Sequence, residues 1–225
     1  MERSIIITKD GSHTIAIPEM QVTYHSHHGA IQESLHVFIR AGLQPITPRH
    51  DAIIRIFEMG FGTGLNALLT LTETEQTQQH IHYTTVEKFP LSITEVAGLN
   101  YCQQLNRPDL QTVFEKMHEC EWEKEIPVTN RFTLKKCQTN LIELVIQQPV
   151  HLVYFDAFAP TAQPELWTKE IFEHVYSWME PGGILVTYCS KGDVRRAMQA
   201  AGFRIEKLTG PPGKREMVRA TKPVD

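Results

Sequence analysis

Beyond the first fifty residues, short apolar runs alternate with stretches whose apolar residues recur every three or four positions, and this pattern predicts strand then helix, repeatedly. Ile53 to Met59 reads as a strand and Leu65 to Thr72 as a helix, with Leu65, Leu68 and Leu69 clustered on one face. Ile81 to Glu87 is the next strand. Pro90 stands near a helix start with Ile93, Val96 and Leu99 in period beyond it. The charged "EKMHECEWEKEIP" reads as a surface connection, "RFTLKKC" as a third strand followed by the apolar face of "NLIELVIQ", and "HLVYFD" as a fourth strand. Almost wholly apolar up to its last residue, that fourth strand suits a central parallel position covered on both faces. Thr168 is placed to cap a helix carrying Ile171, Phe172, Val175 and Met179, which "PGG" then ends. "ILVTYC" is a fifth strand, and "DVRRAMQAAG" a short helix with Gly202 as its stop. "FRIEKLT" and "KREMVRAT", separated by "GPPG", form an antiparallel pair at the sheet edge. The class is α/β, a three-layer sandwich.

The first fifty residues have another texture. "SIIITKDGSHTIAI" holds two β-rich runs around Asp10-Gly11, a hairpin signal. "YHSHHGAIQESLHVFIRAGL" enters a helix whose Ile31, Leu35, Phe38 and Ile39 share a face and for which Gly42 is the expected stop. Pro45 and Pro48 separate this lead-in from the alternation. The expected organisation is therefore an extension over 1–50, a β-hairpin and helix packed on a main domain over 51–225.

With 225 residues, 41% hydrophobic and 21% charged, the chain is long enough for one sizeable core. No run approaches about 18 consecutive apolar residues and the start lacks a basic flank before a greasy stretch; no membrane association is expected, and a cytoplasmic location is. Cys102, Cys120, Cys137 and Cys189 show no zinc or redox spacing, so free thiols are expected. The formal net charge of -4 conceals polarity. From Lys191 to Lys222 nine Lys or Arg face three Asp or Glu, a surplus of +6, which leaves -10 for the remainder. A basic face on an acidic body would give this count, and so would solvated surfaces alone.

The chemistry gathers at strand ends. In "EMGFGTGLN" Glu58 closes a strand, and Gly60, Gly62 and Gly64 form the turn into a helix, where a ligand can lie against backbone and unpaired N–H groups. Phe61, Thr63 and Asn66 belong to the same candidate cofactor site. Spacing alone does not separate a dinucleotide from an adenosyl sulfonium. Glu58 favours the sulfonium, because a carboxylate repels pyrophosphate but suits a cationic α-amino group. Glu87 ends the second strand, where a carboxylate accepts from ribose hydroxyls; Lys88 and Phe89 follow, Phe89 placed to lie against a base. Asp156 closes the fourth strand before the sharp "DAFAP" turn, where it can bind an incoming amine or take its proton. Tyr24, Ser26 and His28, with Phe158 and Pro160, are candidates for the substrate wall. His25, His27 and His28 lack the spacing of a metal site, and no metal is expected.

These stretches carry a likeness. "YHSHHGAIQESLHVFI", "FEMGFGTGLNAL", "TTVEKFPL", "FDAFAPTAQPELWT", "PGGILVTYCS", "VRRAMQAAGF" and "GKREM" together resemble the methyltransferase domain of the MnmC family of tRNA wobble-uridine modification enzymes, over about Tyr24 to Met217. The resemblance implies a Rossmann-like class I S-adenosylmethionine-dependent fold with seven strands in the order 3-2-1-4-5-7-6 and the last antiparallel. It implies N-methylation of 5-aminomethyl-2-thiouridine at the tRNA wobble position. Glu58 and the three glycines would meet the methionine part of the cofactor, Glu87 the ribose, and Asp156 the reacting amine. FAD is not expected, since the resemblance stops at the methyltransferase portion; a separate flavin-dependent tRNA-modifying protein would supply the amine. The chain departs from the family's "DGFAP" at Ala157, and where the family places an acid near adenine it has Lys136-Cys137-Gln138-Thr139, leaving Gln138 to meet the base edge. Lys191, Arg195, Arg196, Lys214 and Arg215 are the phosphate-contact candidates, and Trp167 or His28 would line the opening for a flipped uridine. The alternatives are a methyltransferase of the same fold acting on a small amine or a protein, and a non-catalytic nucleotide-binding partner module.

Overall fold

The computed structural model describes residues 2–50, 53–77 and 79–224. Three short strands come first, β1 (Ser4–Ile7), β2 (His13–Ile17) and β3 (Val22–Thr23), paired antiparallel in that order. Eight more follow: β4 (Ile53–Met59), β5 (His80–Val86), β6 (Glu125–Thr129), β7 (Phe132–Cys137), β8 (Val150–Phe155), β9 (Met179–Thr187), β10 (Arg204–Thr209) and β11 (Glu216–Thr221). They form one sheet in the order β10-β11-β9-β8-β4-β5-β7-β6. The five strands from β9 to β7 run parallel, and β11 is antiparallel to both β9 and β10. The expected seven strands appear in the expected order.

The eighth, β6, lies antiparallel on β7, in a stretch whose sequence reads as surface connection. That sequence hides the strand: Glu125 and Pro127 are poor strand formers, and a proline is tolerated in a ladder only at an edge. Only Val128 of β6 is buried.

Alternating side chains of the central strands feed two cores. Ile54, Ile56, Leu152, Tyr154 and Val186 face the helix Leu65–Thr77, the helical run over 30–49 and the segment around Tyr101 and Phe114. Phe57, Val153, Phe155 and Leu185 face the helices Lys169–Trp178 and Gly192–Ala200. This two-sided cover is why β8 is buried at all six positions.

Three local expectations change. Gly42 does not end its helix; the chain winds on as a π-helical stretch, Leu35–Leu43, into a turn containing Pro45. A Cβ at Gly42 would stand 2.9 Å from the Val186 side chain, so this glycine lets the helix close on the sheet. "NLIELVIQ" makes only the 3-10 turn Leu141–Glu143, because Leu141 and Leu144 alone bury while Ile142 and Val145 are 70% and 76% exposed. Pro181-Gly182-Gly183 lies within β9 at a register shift against β8, since the preceding helix already ends at Trp178. The anticipated junction of extension and main domain at 50/51 falls on Asp51 and Ala52, outside the described residues.

Candidate active site

Strand order reverses between β4 and β8, and in open α/β sheets the crevice beyond the carboxyl ends at such a point is where ligands bind. After β4 the chain turns through Gly60 (φ 88°), Gly62 (φ 50°) and Gly64 (φ 72°), a left-handed series that side chains resist. The turn is tied on both sides: Gly60 N–H donates to Val86 O at 3.0 Å, and Asp156 N–H donates to Met59 O at 3.3 Å. Glu87 completes the clamp, accepting from Gly62 N–H at 3.0 Å and from Phe89 N–H at 2.7 Å.

A cavity of about 500 Å3 opens over this turn. Gly60, Phe61, Gly62, Thr63, Asn66, Glu87, Lys88, Phe89, Tyr24, Phe158 and Asp156 all line it. Gly62 is the floor under Tyr24, whose ring a Cβ there would approach to 3.0 Å. Tyr24 also meets Phe158 edge-on at 5.2 Å between centroids, so the extension and the post-β8 loop join across the cavity. Burial, then Glu87, push the Tyr24 hydroxyl up to about 12, leaving it a neutral donor.

At the inner end two carboxylates share one amide. Asn66 Nδ2 donates to Glu58 Oε1 at 3.1 Å and to Asp156 Oδ2 at 2.8 Å, while its buried Oδ1 has no partner. Glu58 is fully buried; desolvation first, then the Asp156 charge, hold its carboxyl well above the ordinary range, and the Tyr83 and Thr85 hydroxyls beside it offset this only in part. Asp156 remains partly open to the cavity. Burial, then Glu33, push it up to about 7, against the opposing Asn66 donor and Lys214 charge. Two carboxylates so close cannot both ionise cheaply.

Several residues expected at the site stand elsewhere. Glu58 does not line the cavity: it supports Asn66 from below. Gly64 faces inward, where a Cβ would strike His118 at 2.7 Å. Gln138 is outside the lining, its exposed N–H bound to Glu123 at 2.7 Å. On that wall the cavity meets Thr139, Asn140 and Glu143 instead, with Glu143 accepting from Thr139 Oγ1 at 3.1 Å and Asn140 Nδ2 at 3.3 Å. The acid on this side is thus Glu143, brought in by a 3-10 turn where the sequence pattern shows a longer apolar face. Trp167 is buried, donating from Nε1 to Phe158 O at 2.9 Å, and so holds the loop from behind. Ser26 and His28 lie behind the wall: Ser26 N–H donates to Glu33 at 2.8 Å, and the exposed His28 packs against Gly213. Pro160 is not in the lining. Arg3 is, though no sequence signal announced it; it spans from Phe89 O at 2.7 Å to Glu95 at 3.4 Å, partners 86 and 92 positions away along the chain.

The basic stretch is partly self-neutralised. Arg196 pairs with Asp193, Lys207 with Glu216, Arg219 with Glu206, and Lys214 turns inward to Glu33. Among the described residues no ion pair within 4.0 Å involves Lys191, Arg195 or Arg215. Lys191, just past β9 at the cavity's edge of the sheet, and Arg215, in the β10–β11 turn at that same edge, are therefore the freer cations.

Among the described residues one cluster brings metal-type ligands together: His50, His151 and Glu180, at the amino end of the sheet. His151 Nδ1 accepts the Arg55 backbone N–H at 3.1 Å, which leaves its proton on Nε2, 3.4 Å from Glu180, with the Arg55 guanidinium 3.2 Å away. That tautomer and that cation suit a hydrogen-bonded cluster better than an ion. His25, buried and bonded to Thr14 at 3.0 Å, is held down to about 4 by desolvation. The four cysteines are free, and among the described residues no helix is long and apolar enough to cross a membrane.

A mostly parallel sheet with this order, a glycine turn at its switch point and an acid closing the next strand define a Rossmann-like fold whose crevice suits a nucleoside-type cofactor. The model of a family described as S-adenosyl-L-methionine-dependent methyltransferase matches residues 101–223, more than half of the sequence, and the chain belongs to that family. It is 27% identical over 207 residues to the tRNA 5-methylaminomethyl-2-thiouridine biosynthesis bifunctional protein MnmC of Paraburkholderia xenovorans, an alignment covering 87% of this chain and 31% of that protein. The chain thus spans about a third of that relative. Among solved structures, MnmC2 from Aquifex aeolicus superposes with a TM-score of 0.80 at 25% identity, covering all of this chain and 72% of the other. Spermidine synthase from Thermotoga maritima, with a TM-score of 0.58 at 14% identity over 99% of this chain and 70% of its own, shares the fold alone.

Proposed function

We propose that this methyltransferase acts on the exocyclic amine of 5-aminomethyl-(2-thio)uridine at the wobble position of tRNA, and that a separate source, such as a flavin-dependent tRNA-modifying protein, supplies that amine. The observation that carries the reading is Asp156, open to the cavity beside the glycine turn with a carboxyl that titrates near 7. The names of the MnmC relatives supply the substrate class.

The residues present fit an S-adenosyl-L-methionine molecule. Side-chain-free positions leave room along Gly60 and Gly62, and the unpartnered Asn66 Oδ1 can accept from a cationic α-amino group. Each Glu87 oxygen keeps a lone pair beyond its backbone bond and can accept from a ribose hydroxyl. Glu143 and Asn140 face the wall where an adenine edge would lie. When bound, the cofactor supplies a methyl on a sulfonium, a good leaving group for in-line displacement.

Displacement of this kind demands chiefly positioning. Asp156 orients the amine with its lone pair toward the methyl carbon and takes the proton that nitrogen sheds as the new C–N bond forms. A group titrating near 7 both accepts and releases that proton at neutral pH. Tyr24 and Phe158 keep water from the reacting atoms. Lys191, Arg195 and Arg215 offer a phosphate-contacting rim, and residues 1–50 serve as an appendage that roofs the cavity of the 51–225 domain.

The test incubates the protein and methyl-labelled S-adenosyl-L-methionine with tRNA from cells lacking the activity, beside metabolite and protein fractions, followed by nucleoside mass analysis. Label in 5-methylaminomethyl-(2-thio)uridine is expected. Label only in another fraction would reassign the substrate, and cofactor binding without transfer to any fraction would make the chain a binding module.

A further inference from the structure

Behind the cavity wall, beside Asp156, lies an ion pair that ligand binding does not explain. Glu33, on the short helix Ala30–Ser34, is 6% exposed, yet it sits on a helix whose outer face was free to receive an acid. One of its oxygens accepts from Lys214 Nζ at 2.6 Å, the other from Ser26 N–H at 2.8 Å. Lys214 comes from the turn between β10 and β11, so the pair ties the first segment of the chain to nearly the last. Its ammonium also rests 3.8 Å above the centre of the Tyr188 ring. Tyr188 in turn donates its hydroxyl to Ala157 O at 2.8 Å, the carbonyl next to Asp156. A hydrogen-bonded and cation–π path therefore runs from Glu33 through Lys214 and Tyr188 to the backbone of the acid.

Glu33 gives up nearly all its hydration while the Lys214 side chain stays 32% exposed, so the carboxylate's desolvation offsets much of what the screened attraction returns. The pair's presence here calls for another use. We propose that the Glu33–Lys214 pair is a positioning element of the methyl-transfer site, holding the loop after β8 through Tyr188 and acting on Asp156 by its charge. The proposal deepens the amine-methylation reading and rests on it for the meaning of a proton acceptor at Asp156.

The groups that face Asp156 come from every neighbouring element: Glu58 on β4, Asn66 on the helix after the glycine turn, Tyr83 on β5, Tyr188 after β9, and the pair itself. Of these only Glu33 and Lys214 form a removable pair of opposite sign. Glu33 favours a protonated Asp156 and Lys214 an ionised one. A structural tie would respond alike to loss of either partner. An electrostatic one responds with opposite signs.

The experiment measures the pH profile of kcat/KM on modified tRNA, and the 13C titration of the Asp156 carboxyl in the whole protein, for wild type, Glu33→Gln, Lys214→Met, Lys214→Arg and the Glu33→Gln/Lys214→Met double variant. Lys214→Met should raise the Asp156 midpoint and the acid limb by roughly half a unit or more, and Glu33→Gln should lower both by a similar amount. Lys214→Arg should leave them in place, and the double variant should return toward wild type. Midpoints that stay fixed, or move in the same direction in both single variants, overturn the proposal. If one single variant fails to fold, the other carries the test by the direction of its shift, with Lys214→Arg as the control that keeps the charge. The carboxyl titration requires no substrate, so opposite shifts without any methyl transfer would uphold the positioning role and overturn the amine-methylation reading instead.

Discussion

Replacing Asp156 by asparagine should make the protein more stable and less active, by amounts that depend on pH. In the unfolded chain this carboxyl ionises near 3.8, whereas in the fold it does so near 7. Between those values the folded state holds a proton that the unfolded state has lost, so stability falls as pH rises through the window. At about 1.36 kcal/mol per unit of displacement, three units correspond to about 4 kcal/mol at alkaline pH and to nearly nothing at pH 4. Asparagine removes the ionisation while its side-chain oxygen can still accept from Asn66 Nδ2. The variant should therefore gain on the wild type by about 2.5 kcal/mol between pH 5 and pH 8, or about 5–10 °C in melting temperature for a chain of this size. Urea unfolding of both proteins at intervals across that range reads the gap directly. A gap that does not change with pH, or a variant less stable than wild type at pH 8, would show that the carboxyl ionises normally and would remove the basis for its role as proton acceptor. Turnover on modified tRNA should fall by roughly 100- to 10,000-fold, the usual worth of a positioned proton-transfer group.

Asn66→Ala takes one shared donor from the buried Glu58 and the partly open Asp156; the acid limb of the rate profile should move to higher pH, and cofactor affinity by calorimetry should drop as the free Oδ1 is removed. Gly62→Ala places a Cβ 3.0 Å from Tyr24 at φ 50°, so a stability loss of about 1–2 kcal/mol by denaturant titration and weaker cofactor binding are expected. Substituting Lys191 and Arg195 by glutamine should flatten the salt dependence of tRNA binding by about one unit of slope for each phosphate no longer neutralised, whereas Arg196→Gln, already paired with Asp193, should change it little.

The architecture is legible in the sequence because its signals are local and periodic. The uniformly apolar β8, the glycine turn after β4 and the Thr168 cap, which accepts from Ile171 N–H at 3.4 Å, each declare themselves within a few residues. What the pattern misplaces depends on distant partners. Gly42 resembles a helix stop until Val186 is seen beneath it. Lys214 counts as a surface cation until its partner 181 positions away is known. The acids at strand ends are legible as a set, but their division of labour is not: Glu58 and Asp156 look alike in sequence, and only burial separates the supporting carboxylate from the one that reaches the cavity. Glu143 in place of Gln138 follows from a 3-10 turn too short to show a period.

The edge strand β6 has a bearing on assembly. Without it, β7 would offer a row of free N–H and C=O groups to any neighbouring chain. With it, that margin ends in a strand where Pro127 has no hydrogen to give and where the Pro127 and Val128 carbonyls are already engaged by Lys116 Nζ at 2.8 and 3.3 Å. The opposite margin, β10, presents Arg204, Glu206 and Lys207 to solvent. Both borders of the eight-stranded sheet are therefore poor templates for strand addition, which disfavours joining two copies edge to edge through it.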